Sequence, residues 1–267
     1  MKKFVSLLLA LLLLCPAVLA EDTLFGAIEP DVNYKITLTR KAVLKGGDTF
    51  KTMNYHVQQG SATDGTYAYF VLEDQHQSLG SIWKVDMSTW KVVDTMYDLP
   101  IDHGNDMTYN PGKHQLVVVN NKPHYNTLTF IDPDTLTIIE TKKLTADMYA
   151  IAYNPASDRY VIGLSGSWNF MITDGEFNVQ HLCIGKDTGL VKQGVECDDS
   201  YIYFPQCKSD NSINQLVVYD WEGNYVNTIR VSAYQEIESL FHNENGTYIA
   251  FNASGSSIYE AKLNIIE

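Results

Sequence analysis

The feature that most constrains this chain is a repeat of about forty-five residues, copied five times. Two landmarks carry it. The first is a turn residue, Asp64, Asn110, Asn154, Asp198 and Asn243, at spacings of 46, 44, 44 and 45. The second closes a strand further on in each unit: Asp86, Asp132, Asp174, Asp220 and finally Lys262, at spacings of 46, 42, 46 and 42. Each unit runs in one order: a first strand into the turn, a strand rich in Tyr, Val and Ile, a loop, a strand ending at the second landmark, and one strand more.

The strand segments are explicit. They include Thr66 to Val71, Ser81 to Asp86, Gln115 to Val119, Thr127 to Asp132, Tyr201 to Phe204, Gln215 to Asp220, Thr247 to Phe251 and Ser257 to Lys262. Short β-branched and aromatic runs bounded by Gly, Asn, Asp and Pro read as strands. No stretch of the mature chain sustains a helical apolar period. A repeat of roughly 40–50 residues with four strands is the signature of a propeller blade. One such sheet cannot bury both faces alone, whereas a ring of them can.

The fifth unit stops after its third strand. A spare strand, Tyr34 to Arg40, stands at the other end of the chain. The expected fold is therefore all-β: a five-bladed β-propeller of four-stranded antiparallel blades, its last blade closed by that N-terminal strand. An open β-sandwich is the alternative.

Met1-Lys2-Lys3, an apolar run from Phe4 to Leu14 and the exit Pro16 to Ala20 read as a secretory signal peptide. The run is short for a hydrocarbon layer of about 30 Å, so a membrane anchor is disfavoured. The expected division is a leader over 1–20, cleaved after Ala20, and one propeller domain over 21–267. The mature protein is then extracellular and monomeric, with no membrane insertion. Loss of Lys2 and Lys3 takes the formal charge from −13 to −15. That balance argues against nucleic-acid partners, whose binding depends on Lys and Arg. Cys183, Cys197 and Cys207 remain, and an oxidising compartment allows one disulfide among them. No ligand spacing for a metal and no cofactor motif is present.

In a propeller the first strand of each blade lines a central channel. Five residues before each turn stand Gln59, Asn105, Tyr149, Gln193 and Glu238, all polar or hydrogen-bonding. Small residues follow them at Gly60, Ala150, Gly194 and Ser239, with Asp106 the exception. His103, Asp147 and Glu236 lie just upstream, and Glu196 adds a carboxylate on a first strand. This ring is read as a channel mouth for a peptide, a glycan or another small polar ligand. Its bland alternative is a set of polar groups that only hold water. Glu236 and Glu238 fall on one face of a strand, a pair able to raise one pKa and furnish a general acid. Alternation would place Asp106 on the face opposite His103 and Asn105. Glu238, Glu236 and Asp106 are the candidates for any catalytic role.

The blade pattern resembles the plant-type glutaminyl cyclases and their bacterial relatives. The residues that carry the likeness are Gln59-Gly60 before Thr63-Asp64-Gly65, the run Ser81 to Asp86, Trp90-Lys91-Val92-Val93, Gln193-Gly194 and Glu236-Ile237-Glu238. The resemblance implies a five-bladed propeller acting on N-terminal Gln, with an acid–base carboxylate on the second inner strand. Asn105 occupies the matching position. It also implies an aromatic cage, for which Tyr149, Trp168 and Trp83 are the candidates. Three functions remain open: a binding propeller, a cyclase-like enzyme, and a carbohydrate-active propeller. The last needs two carboxyls about 5 Å or about 6.5–9.5 Å apart, drawn from Glu196, Glu236, Glu238, Asp106 and Asp147.

Overall fold

The computed structural model describes residues 23–44, 55–74, 79–252 and 256–266. The expected leader and its cleavage point at Ala20 lie outside them. Among the described residues there are strands and no helices.

Three sheets are four-stranded, antiparallel and built from consecutive strands. Sheet one holds β2 (Tyr55–Thr63), β3 (Tyr67–Asp74), β4 (Leu79–Asp86) and β5 (Lys91–Leu99). Sheet two holds β6 (Asp106–Asn110), β7 (Gln115–Val119), β8 (Thr127–Ile131) and β9 (Ile138–Lys143). Sheet three holds β10 (Met148–Asn154), β11 (Arg159–Leu164), β12 (Phe170–Asp174) and β13 (Val179–Cys183).

The remaining strands form one nine-stranded sheet with two recognisable halves. Its first half has β14 (Val191–Lys192) and β15 (Glu196–Cys197), both paired to β16 (Tyr201–Cys207), then β17 (Asn214–Asp220) and β18 (Tyr225–Val231). Its second half has β19 (Glu236–Asn243), β20 (Gly246–Asn252), β21 (Ser256–Ile265) and the N-terminal β1 (Tyr34–Leu44). The halves are joined by a parallel contact of only two residue pairs, Lys35 with Arg230 and Ile36 with Val231. By contrast β1 runs antiparallel to β21 from Tyr34 opposite Ile265 to Leu44 opposite Ser256. The spare N-terminal strand therefore pairs with the last strand of the chain, as the strand accounting required.

Both faces of the middle strands are apolar, and the strand period of two shows why. In β7, Leu116 and Val118 pack with Tyr69, Val71 and Ile82 of sheet one. Val117 and Val119, on the other face, pack with Tyr160 and Ile162 of sheet three. The same sharing continues round the molecule. Val161 and Phe170 meet Phe204 and Val217; Tyr203 and Val218 meet Ile249 and Phe251; Phe241 and Tyr248 meet Phe70 and Trp83. Each of these cores lies between two sets of strands, and one of them holds residues of β19 and β20 together with residues of β3 and β4. Inner strands touch in the same order, β2 with β6, β6 with β10, β10 with β15, β15 with β19, and β19 with β2.

The turn landmarks are stapling devices. Asn110 accepts from the Lys113 amide and donates through Nδ2 to the Tyr160 hydroxyl of the next sheet. Asn154 accepts from Ser157 and donates to the Asp198 carbonyl. Asn243 accepts from Asn245 and donates to the Gly65 carbonyl, from the last unit to the first. The three Asn side chains cap their own turns and donate to the next unit, whereas Asp64 and Asp198 cap their turns by accepting backbone amides. Cys183, Cys197 and Cys207, among which one disulfide was allowed, are all buried and free.

Candidate functional site: two ends of a plugged axis

The strands β2, β6, β10, β15 and β19 lie in contact and present two ends. The upper end is where β2, β6, β10 and β19 begin, and the lower end is where they run into the turns. Asp106 stands between. It is 1 % exposed. Its Oδ2 accepts the Ile151 amide at 3.0 Å and the Val195 amide at 2.9 Å, and its Oδ1 accepts the Met107 amide at 2.9 Å. One side chain thus ties the second, third and fourth units together. Burial pushes its pKa well up, and the three amides oppose that shift.

This cross-axis bonding explains the broken inner strand of the fourth unit. Between β14 and β15, Gly194 donates its amide to the Glu238 carbonyl and Val195 donates to Asp106, so both leave the ladder. A Cβ on Gly194 would lie 3.1 Å from Asp106 Oδ1 and from the Glu238 carbonyl. A Cβ on Gly60 would lie 2.5 Å from the Asp106 Cα. At Gly60 any side chain would run into the backbone of Asp106 and Met107, and at Gly194 one would be tight against the Asp106 carboxyl and the Glu238 carbonyl.

The upper end gathers most of the expected ring. Gln59, Tyr149, Gln193 and Glu238 are buried, whereas Asn105, His103 and Glu236 are partly exposed. Asn105 donates to the Tyr149 carbonyl at 2.6 Å and accepts from Asn121. Gln193 donates to Glu236 Oε1 at 3.0 Å, and Asn252 donates to Glu236 Oε2. Glu238 has its pKa raised well above the usual carboxylate range, first by burial and then by Glu236, while a hydrogen bond from Asn252 opposes the rise. His103 is taken by Glu73, with Nδ1 to Oε1 at 2.7 Å. Asp147 is exposed, outside the buried part of the ring.

The expected aromatic cage is corrected in two respects. Trp83 belongs to the core between the first and last units. Tyr149 and Trp168 do come together, but around the protein's own Lys192, whose Nζ lies 4.2 Å and 5.8 Å from the two ring centroids. The same ammonium donates to the carbonyls of Leu164 and Ser167. Burial pulls the Lys192 pKa down to about 8.

Glu196 and Asp106, both expected among the ligand-binding residues, stand apart from the upper end. Asp106 is the plug. Glu196 belongs to the lower end, where a recess of about 480 Å³ is lined by segments of all five units. Its lining includes Thr63 to Thr66, Thr108 and Tyr109, Tyr153 to Pro155, Glu196 to Asp199, and Phe241 to Glu244. The sequence held a signal for this recess, since Asp64, Asn154, Asp198 and Asn243 are turn landmarks and all line it.

No family model matches the chain, and no curated protein matches it. Among solved structures, a member of the DUF4221 family from Bacteroides vulgatus is similar at 11 % identity and a TM-score of 0.51, covering 87 % of this chain and 99 % of its own. Hydrazine synthase of Kuenenia stuttgartiensis is similar at 15 % identity and a TM-score of 0.46, covering 72 % of this chain. The present chain spans 60 % of that one. Likeness at these identities concerns the β-rich, multi-sheet fold alone.

Proposed function

We propose that this is an exported five-bladed β-propeller that binds a peptide or small polar ligand carrying a free amine at its upper mouth. The cyclic order of cores and of inner-strand contacts supports the ring, and the β1–β21 pairing supports its closure by the N-terminal strand. The basic start Lys2-Lys3 and the leucine-rich run that follows it support export. One observation carries the ligand reading: Glu236 accepts from Gln193 and Asn252 at the start of β19, with the buried carboxyl of Glu238 two residues on, its pKa raised by burial and by Glu236. Carboxyls held in this way recognise an ammonium through charge-assisted hydrogen bonds, and the neighbouring Gln193 and Asn105 amides suit a peptide group.

The raised Glu238 pKa favours a second reading, acid–base chemistry on an N-terminal Gln or on a glycosidic bond. A cage for the reacting Gln side chain is not what Tyr149 and Trp168 supply, because Lys192 fills the space between them.

Calorimetric titration with glutaminyl-phenylalanine amide and its N-acetylated counterpart tests both readings, with ammonia release followed in parallel. The free-amine peptide is expected to bind and the acetylated one to fail, with Glu238→Gln weakening binding roughly tenfold or more. Ammonia release that disappears in Glu238→Gln replaces the binding reading with the enzymatic one. Equal behaviour of the two peptides overturns the amine reading.

A further inference from the structure

A groove of about 600 Å³ lies on the fourth unit, where β17 begins, where β18 ends and beneath the link from β18 to β19. It has the size of a small-molecule site. It shares no lining residue with the lower recess, and the upper-mouth reading makes no use of it.

The strand period builds its wall. Ile229 and Val231 of β18 turn into the core shared with the fifth unit, so Thr228 and Arg230 stand on the other face. In the β17–β18 ladder Gln215 is opposite Arg230 and Val217 is opposite Thr228. Gln215 therefore shares the face of Arg230. In the short β1–β18 contact Lys35 is opposite Arg230, which sends a second cationic side chain from that face. Buried Asn214 fixes the link above: it accepts the Ile237 amide and donates to the carbonyls of Ala233 and Gln235.

The groove is unusual in its charge. The chain has 32 acidic residues against 19 Lys and Arg, yet no Asp or Glu is among the described residues that line it. Asp210, which accepts from Ser212 at its edge, is neutralised by Lys208 at 3.0 Å. The Arg159 guanidinium, by comparison, is committed to the Trp221 ring and the Ser157 hydroxyl. Arg230 is exposed and makes no ion pair, hydrogen bond or ring contact among the described residues. Tyr234 is 89 % exposed and Ile213 is 45 % exposed, so a ring and a branched apolar side chain are both open to a ligand. Gln215 gives one amide hydrogen to Gln206 Oε1 and keeps the other.

We propose that this groove binds a small monocarboxylate with an aromatic or branched apolar body. The planar guanidinium of Arg230 matches a carboxylate through two parallel hydrogen bonds, and the spare Gln215 N–H suits the same oxygens. Tyr234 and Ile213 cover the apolar body. The same chemistry exists at the C terminus of a peptide that ends in an aromatic residue. This site selects a charge opposite to the one proposed for the upper mouth, and neither reading depends on the other.

The test is a ligand-observed NMR titration of the intact protein with 3-phenylpropionate, N-acetyl-phenylalanine and 3-phenylpropionamide. One or both acids are expected to bind, the tighter of them assigning a free acid or a peptide end as the source, and the amide is expected to bind about tenfold more weakly or not at all. Arg230→Gln is expected to cost about tenfold or more in affinity for the acid, and Arg230→Lys, which keeps the charge and loses the fork, a smaller factor. Tyr234→Ala is expected to weaken binding a few-fold. All three variants alter exposed side chains, and unchanged thermal midpoints separate a lost contact from a lost fold. Glu238→Gln, at the upper mouth, is expected to leave acid binding unchanged. Absence of acid binding, equal binding of acid and amide, full affinity in Arg230→Gln, or displacement of the acid by inorganic phosphate at equal concentration would overturn the proposal. Loss of acid binding in Glu238→Gln with full affinity in Arg230→Gln would move the acid to the upper mouth and overturn it equally.

Discussion

The Asp106 carboxylate and the Val195 amide, 89 residues apart in the chain, meet at 2.9 Å. With the Ile151 and Met107 amides on the same carboxylate, this contact makes one buried side chain the common partner of three units.

Removal of this partner is therefore expected to be costly. Asp106→Ala leaves three buried amides without their acceptor, at about 1–3 kcal/mol each, offset in part by relief of the buried carboxylate. A net loss of about 3 kcal/mol is expected in urea unfolding. Asp106→Asn retains one acceptor oxygen and should fall between the variant and the wild type. An unchanged midpoint for Asp106→Ala would remove the plug from the account of the fold.

Lys192 supplies a pH signature. Its folded pKa lies near 8, below the ordinary 10.5, because burial disfavours the charged form. Between those values the unfolded chain binds more protons at this position than the folded one. Stability contributed by this group therefore rises as pH increases from about 8 towards 10.5. Lys192→Met, which keeps most of the stem between Tyr149 and Trp168, is expected to flatten that rise. Denaturation midpoints for both proteins across this pH range provide the measurement, and parallel curves would refute the assignment.

The pairing of the two chain ends is open to a covalent test. Thr37 and Lys262 are exposed and stand directly opposite in the β1–β21 ladder. Cysteines at both positions are expected to crosslink on mild oxidation, since opposed strand positions bring Cβ atoms within disulfide reach. The crosslink should raise the denaturation midpoint, and by about 2–4 kcal/mol if it acts on the unfolded chain as a closed loop usually does. Moving one cysteine to Leu263 shifts it to the other face of β21, and no crosslink is expected.

The strand order was legible in the sequence to within a few residues. Gln115 to Val119 is β7 as read, and the run from Tyr34 belongs to β1, which continues to Leu44. The candidate site was legible only in part. The Glu236–Glu238 pair does sit together with one raised pKa, but alternation failed next to it. Register shifts interrupt the inner ladders between Gln58 and Ser61, between Met148 and Ala150, and between Ile237 and Ser239. A bulge inserts a residue and re-aims those that follow, so facing could not be counted along these strands.

The linear chain alone set the repeat length, the strand sequence, the turn residues and the need for the first strand to join the last. Those depend on neighbours within a few positions, where period and turn chemistry act. Folding in three dimensions decided that Asp106 closes the axis, that Lys192 occupies the space between Tyr149 and Trp168, and that Glu196 meets His242 in a recess at the lower end. Each of these joins groups from different units, and such meetings are set by how the sheets pack around one axis rather than by any local pattern.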